Sequence, residues 1–172
     1  MNTSLIISVI GPDRPGLIQQ LSSVVTGSGG NWEGSRLMQL AGQFAGMVQV
    51  VIPEGNLPQL QADLAGLEEK GLTVSVIHSG ELPTEASPGG KLISLEVVGQ
   101  DRSGIVASIS ETLASLGVNV IELATDCKSA AWSGETHFFT EATISLPPSV
   151  DEETLRQKIE SIADDLMVEF PD

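Results

Sequence analysis

Basic residues are scarce. Eight Lys and Arg stand against 23 Asp and Glu in 172 residues, for a formal net charge of −15. Binding to nucleic acid draws most of its affinity from Lys and Arg that neutralise phosphates. With so few, and no basic cluster, direct contact with DNA or RNA is not expected, nor is binding to an anionic membrane surface. A single cysteine, Cys127, excludes an intramolecular disulfide and a cysteine-based metal cluster. Tyrosine is absent, and aromatics are limited to four Phe and two Trp. No apolar run approaches the ~20 residues a membrane helix needs. Met1-Asn2-Thr3-Ser4 carries no basic side chain and leads into a strand pattern, so no signal peptide is expected and the cytoplasm is the expected compartment. No Ser-His-Asp or Cys-His arrangement stands out, and His78 and His137 are far apart. No metal or other cofactor is expected.

What is present is a repeat. Leu5 to Ile10 form an apolar run followed by Gly11-Pro12-Asp13-Arg14-Pro15-Gly16 and then a helical pattern. After Leu92 to Val98 the same turn returns as Gly99-Gln100-Asp101-Arg102-Ser103-Gly104, 88 residues on. Leu5 to Ile10 read as a strand buried on both faces, or nearly so. Leu17, Ile18, Leu21, Val24 and Val25 then fall at helical spacing, and Ser28-Gly29-Gly30 stops the helix. A hairpin follows, with a turn at Ala41-Gly42-Gln43 and a bulge suggested by Gly46. Leu57, Leu60, Leu64 and Leu67 mark a second helix, closed by Gly71 before a strand from Leu72 to Ile77.

The second half repeats this order, with Asn119 in the place of Asn31 and Pro147 answering Pro53 at an offset of 94. Its hairpin is therefore six residues longer, around Cys127 to Glu135. The expected fold class is α+β: two ferredoxin-like β-α-β-β-α-β domains, each with an antiparallel sheet and helices on one face. Residues 1–79 and 91–172 are the domains, joined by a linker rich in Pro, Gly and Ser at 80–90.

A helix N-terminus presents unpaired N–H groups and a partial positive charge, so it accepts a carboxylate without help from a basic side chain. Asp13 reads as the N-cap of the first helix, which puts Gly16 at its third position. Asp101 and Gly104 are placed alike. Glycine there lets a ligand touch backbone that a side chain would cover. Pro15 leaves Asp13 only the Gly16 N–H to cap, whereas Ser103 keeps its own N–H for Asp101. Acceptors for a ligand ammonium would come from Asp or Asn side chains, or from strand edges near Asn31 and Asn119. Glycine in such a turn serves a tight bend or close packing equally well, so the residues alone leave both readings open.

The strand, the Gly-x-Asp-Arg-x-Gly turn followed by two aliphatic residues, and the helix ending near Gly-x-Asn together resemble the ACT domain, in two copies spanning essentially the whole chain. A tandem of this kind resembles the glycine cleavage system transcriptional repressor family. The resemblance implies a regulatory protein and not an enzyme. It implies a small amino acid, glycine or similar, bound at the loops or domain interfaces. It further implies action through a protein partner, in control of glycine cleavage or amino-acid metabolism, and a homodimer. Carried over by position, Asp13, Gly16 and Leu17 line the first loop and Asp101, Gly104 and Ile105 the second. Asn31 and Asn119 open the next strand near the same end. Gln100 and Ser103 replace the prolines of the first turn, so the first copy is the safer site. Two other readings stay open: an ACT module that dimerises without a ligand, and a small hydrolase using Arg14 and Asn31.

Among the remaining residues, Arg14 and Arg102 suit an anion or a surface ion pair equally. Trp32 is expected in packing, or as a pocket wall beside Asn31. Cys127 is expected to be inert. Asp164-Asp165 and Glu68-Glu69 are expected on solvated helix faces.

Overall fold

The computed structural model describes residues 1–78, 89–129 and 134–171. They fall into two compact units, Met1–Thr84 and Glu85–Asp172. Trp132 and nearly all of the expected linker lie outside the described residues.

The first unit runs β1 (Asn2–Pro12), α1 (Leu17–Gly27), β2 (Asn31–Leu40), β3 (Gln43–Pro53), a 3-10 turn (Glu54–Asn56), α2 (Leu57–Glu68) and β4 (Thr73–His78). Its sheet order is β2-β3-β1-β4, antiparallel throughout. The second unit runs β5 (Lys91–Gln100), α3 (Ile105–Ser115), β6 (Asn119–Ser129), β7 (Thr136–Leu146), α4 (Glu152–Glu160) and β8 (Met167–Glu169), with the order β6-β7-β5-β8. Both are the ferredoxin-like arrangement that the repeat implies.

Each core lies between one sheet face and its two helices. Leu17, Leu21 and Val25 on α1 and Ile105, Ile109 and Leu113 on α3 recur every four residues, so each helix turns one apolar stripe inward. They meet Leu5, Ile7 and Val9 in the first unit and Leu95 and Val97 in the second. A fully buried Leu or Ile contributes roughly 1.5–3 kcal/mol, and Leu5, Ile7 and Ile52 have no exposed surface.

Two expectations need correction. β1 is not buried on both faces. Leu5, Ile7 and Val9 point into the core, while Ile6 and Ser8 are half-buried and Ile10 is exposed on the face away from the helices. The helices cover one face only, so an apolar run here reports an uncovered sheet face. Nor does Gly46 make the bulge. The register of β2 on β3 shifts between Trp32 and Gly34, and Gly46 pairs regularly with Leu37. Gly46 is needed for close approach: a Cβ there would lie 2.0 Å from the Arg36 carbonyl oxygen.

The hairpin turn expected at Ala41-Gly42 is present, with positive φ at both residues (48° and 79°), the signature of a two-residue turn matched to strand twist. In the second unit the hairpin is longer. Lys128 pairs with His137 as Leu40 pairs with Gln43, and β6 and β7 add the pair Ser129 and Thr136.

Candidate turn sites after the first strand of each domain

The chain leaves β1 at Pro12 and enters α1 at Leu17. Asp13 does not cap α1. Gly16 is the N-cap residue, left-handed at φ 89°, and no side chain caps the helix. Gly104 holds the same role on α3 at φ 84°. Glycine is required at both positions because L-residues with a Cβ pay about 1–2 kcal/mol to go left-handed. The backbone of Asp13 is used instead to dock the hairpin: its N–H donates to the Gly42 carbonyl at 2.9 Å. Asp101 N–H donates to Thr136 O at the same distance.

Above Gly16 the surface is open. A Cβ there would meet only the side-chain ends of Gln19 and Gln20, at 4.0 Å. A depression of about 350 Å³ lies over the helix start, lined by Asp13, Arg14, Gly16, Leu17, Gln19 and Phe44, among others. The first N–H groups of α1 have no helical acceptor, and the first turn carries no acid to occupy them. Arg14 is exposed and donates to the Lys70 carbonyl at 3.1 Å. No ion pair among the described residues involves it. The depression is thus lined by an exposed cation, a helix N-terminus and the exposed Asp13 residue.

The second turn is clamped. Arg102 donates through Nη2 to both carboxylate oxygens of Asp165. Asp165 also accepts the Gln100 N–H at 2.6 Å. The hydrogen bonds from Arg102, and then that from Gln100, hold the Asp165 carboxyl below its ordinary range. Asp165 is therefore not a solvated helix-face acid, since it lies beyond α4 and grips the turn. Neither half of this clamp exists in the first domain. Leu72 packs over Gly11 as Leu166 packs over Gly99. That equivalence puts Gly71 in the place of Asp165 and Pro12, with no N–H, in the place of Gln100. Clues were available in the sequence: the Pro12-to-Gln100 change is visible at offset 88 and the Gly71-to-Asp165 change at offset 94.

Asn31 and Asn119 are not near these turns. Asn31 pairs with Val51, which pairs with Ser4 at the start of β1, eight residues before Pro12. At ~3.3 Å per residue that is roughly 26 Å away. Asn119 is likewise level with Leu92, at the far end from Gln100. The helix after each turn carries the chain back along the sheet, so the next strand opens at the opposite end. What lies beside the first turn is the β2–β3 hairpin, with Gly42 and Phe44. Arg14 and Asn31 are separated for the same reason, which removes the pair behind the hydrolase reading. Leu17 and Ile105, directly after the turns, are buried in the two cores.

Cys127 is exposed at the edge strand. Desolvation, and then the Asp101 carboxylate, raise its thiol pKa. Among the described residues no group of three or more His, Cys, Asp or Glu is placed to hold a metal, and no helix is long and apolar enough to cross a membrane.

Fold and turn define the class: paired ferredoxin-like domains with an open strand-to-helix turn. Residues 3–76 match the family model of the ACT domain. That match lies within the first domain, and the second domain repeats its topology. An unknown protein from Galdieria sulphuraria is similar over 100% of both chains, at 27% identity and a TM-score of 0.84. A solved structure provisionally assigned as a glycine cleavage system transcriptional repressor is 16% identical over 100% of this chain and 99% of its own, with a TM-score of 0.70. At that identity it shares the fold. No curated protein matches the sequence.

Proposed function

We propose that the protein is an amino-acid-responsive regulator in which the first turn binds a small amino acid, glycine or similar, and the bound state alters association with a protein partner. The single observation that carries this reading is the open turn over Gly16. It sets an Arg14 guanidinium, which has no carboxylate partner among the described residues, and an uncapped helix N-terminus beside the Asp13 carboxylate. An α-amino acid has the complementary charges. Its carboxylate suits Arg14 and the helix start, and its ammonium suits Asp13. A small side chain suits a shallow site bordered by Phe44. Likeness to the provisionally assigned glycine cleavage repressor adds the expectation of transcriptional control through a partner and not through DNA, in keeping with the charge of −15.

The partner surface in this reading is the outer face of the first sheet. Ile10, Met38, Met47 and Ile77 stand there exposed, with Arg36 the one charge beside Met47. Exposed apolar patches of this kind mark protein interaction sites. A ligand regulates such a partner only by differential affinity for the free and associated states.

A thermal-shift panel of the standard amino acids tests the proposal. Ligand binding to the folded state raises the melting temperature. Glycine or another small amino acid should give a saturable rise that Arg14→Gln removes. A flat panel would leave the chain as an association module without a ligand.

A further inference from the structure

The depression over Gly16 has an apolar wall that glycine would leave uncovered. Ile18 and Phe44 line it together with Asp13 and Arg14. Ile18 sits on the flank of the inward stripe of Leu17, Leu21 and Val25, and it is 52% exposed. Phe44 stands on β3 opposite Gly11 and shares the helix side of the sheet with Val48 and Val50.

Comparison with the second domain shows that Phe44 is incompletely covered. Gly99 pairs with Phe138 as Gly11 pairs with Phe44. Phe138 is 3% exposed and belongs to the second core. Phe44 is half-buried and packs against the first core without being enclosed by it. Two large apolar side chains are thus partly wet at one depression. Apolar surface left in water favours an occupant that covers it.

The charged groups take the two ends of an amino acid and leave its side chain to the rest of the lining. Arg14 and the helix start suit the carboxylate, and Asp13 suits the ammonium. What remains is Leu17, Ile18, Gln19 and Phe44. Gln19 is exposed, so a ligand hydroxyl beside it exchanges one hydrogen bond with water for another and gains little. A ligand methyl against Ile18 or Phe44 removes apolar surface from water on both partners.

We infer that Ile18 and Phe44 determine specificity, and that this turn selects amino acids with a short apolar side chain. Alanine and valine rank ahead of glycine and ahead of their hydroxyl counterparts serine and threonine. The inference rests on the reading of the turn as an amino-acid site and adds which side chain it selects. A fully buried methylene is worth about fourfold in affinity. The surface above Gly16 is open, so a ligand carbon meets protein on one side only, and about twofold per carbon is expected. Alanine adds one carbon to glycine and valine adds three, for gains of about twofold and about eightfold over glycine.

Isothermal titration of glycine, alanine, valine and threonine into the full chain reads this order. Valine should bind about eightfold tighter than glycine, and threonine should fall well short of valine. Ile18→Gln, on the exposed flank of α1, should cut the valine-to-glycine ratio to about twofold, and Phe44→Ala should do the same. Ile18→Gln keeps the test decisive if the Phe44→Ala chain fails to fold. Arg14→Gln should weaken all four ligands alike. A wild-type ratio near one, threonine equal to valine, or a ratio unmoved in folded Ile18→Gln overturns the inference. If glycine binding in those cases still depends on Arg14, the turn remains an amino-acid site without this selectivity. If none of the four binds, or Arg14→Gln changes no affinity, the reading of the turn fails and takes the inference with it.

Discussion

Asp165 grips Arg102 through both carboxylate oxygens, and the equivalent place in the first domain is held by Gly71, which has nothing to grip with. One duplicated turn has thus become two different sites. In the second, an internal carboxylate already neutralises the arginine. In the first, Arg14 donates to the Lys70 carbonyl and has no ion pair among the described residues. Transplanting the clamp should transplant its effect. Gly71→Asp is tolerable at φ 90°, because aspartate visits the left-handed region more readily than most residues. It should weaken amino-acid binding at the first turn by about tenfold, the scale of one charge-assisted hydrogen bond. Asp165→Gly should move the stoichiometry from one site per chain toward two. Calorimetric titration reads both, and unchanged binding in Gly71→Asp would show that Arg14 is not part of the site.

Acid should loosen the second domain through the same contact. The Asp165 carboxyl titrates below its ordinary value because Arg102 and then Gln100 hydrogen-bond its charged form, and Asp151 is lowered by Thr154 at the start of α4. A carboxyl depressed in the folded state adds stability that is complete above its unfolded pKa, about 3.9 for aspartate. That stability is lost as pH falls from there through the folded value. Asp151 is exposed and Asp165 is partly so, and solvent screens the effect. Urea midpoints measured between pH 5 and pH 2.5 should fall more steeply for the wild type than for Asp165→Asn. Parallel curves would show that the clamp does not contribute.

Two glycines should respond very differently to the same substitution. Gly16→Ala adds a Cβ into open space and costs only the left-handed backbone, about 1–2 kcal/mol. Gly46→Ala drives a Cβ to 2.0 Å from the Arg36 carbonyl oxygen and 2.7 Å from Leu37 Cα, so β2 must part from β3. A loss beyond about 4 kcal/mol, or failure to fold, is expected there. Chemical denaturation orders the two, and equal losses would contradict the close approach.

The Cys127 thiol should alkylate slowly. Desolvation and the Asp101 carboxylate both favour its protonated form, and the thiolate is the nucleophile. Iodoacetamide at pH 7 should react more slowly than with free cysteine, and Asp101→Asn should quicken the reaction. No change in the variant would place the carboxylate too far away to matter.

Much of the fold was legible because duplication doubles every signal. Turn, helix stripe and hairpin each occur twice, so the β-α-β-β-α-β order is readable from spacing alone. Four things were not. Apolar runs such as Leu5 to Ile10 look alike whether helices cover one sheet face or two, and the outer face of β1 stays open. Asp13 has the chemistry of an N-cap, yet the left-handed Gly16 starts the helix one residue before Leu17 and leaves Asp13 to the hairpin. Asn31 follows the first helix in sequence, and only the return path of α1 shows that it opens its strand at the far end of the sheet. The clamp by Asp165 joins residues 63 positions apart, beyond the reach of local pattern.

The central claim is that the open turn over Gly16 holds a small amino acid through Arg14. Isothermal titration of glycine into the wild-type chain and into Arg14→Gln tests it most directly. Saturable binding near one site per chain, weakened at least tenfold in a variant that unfolds like the wild type, is the predicted result. Equal glycine affinity in the two chains would contradict it.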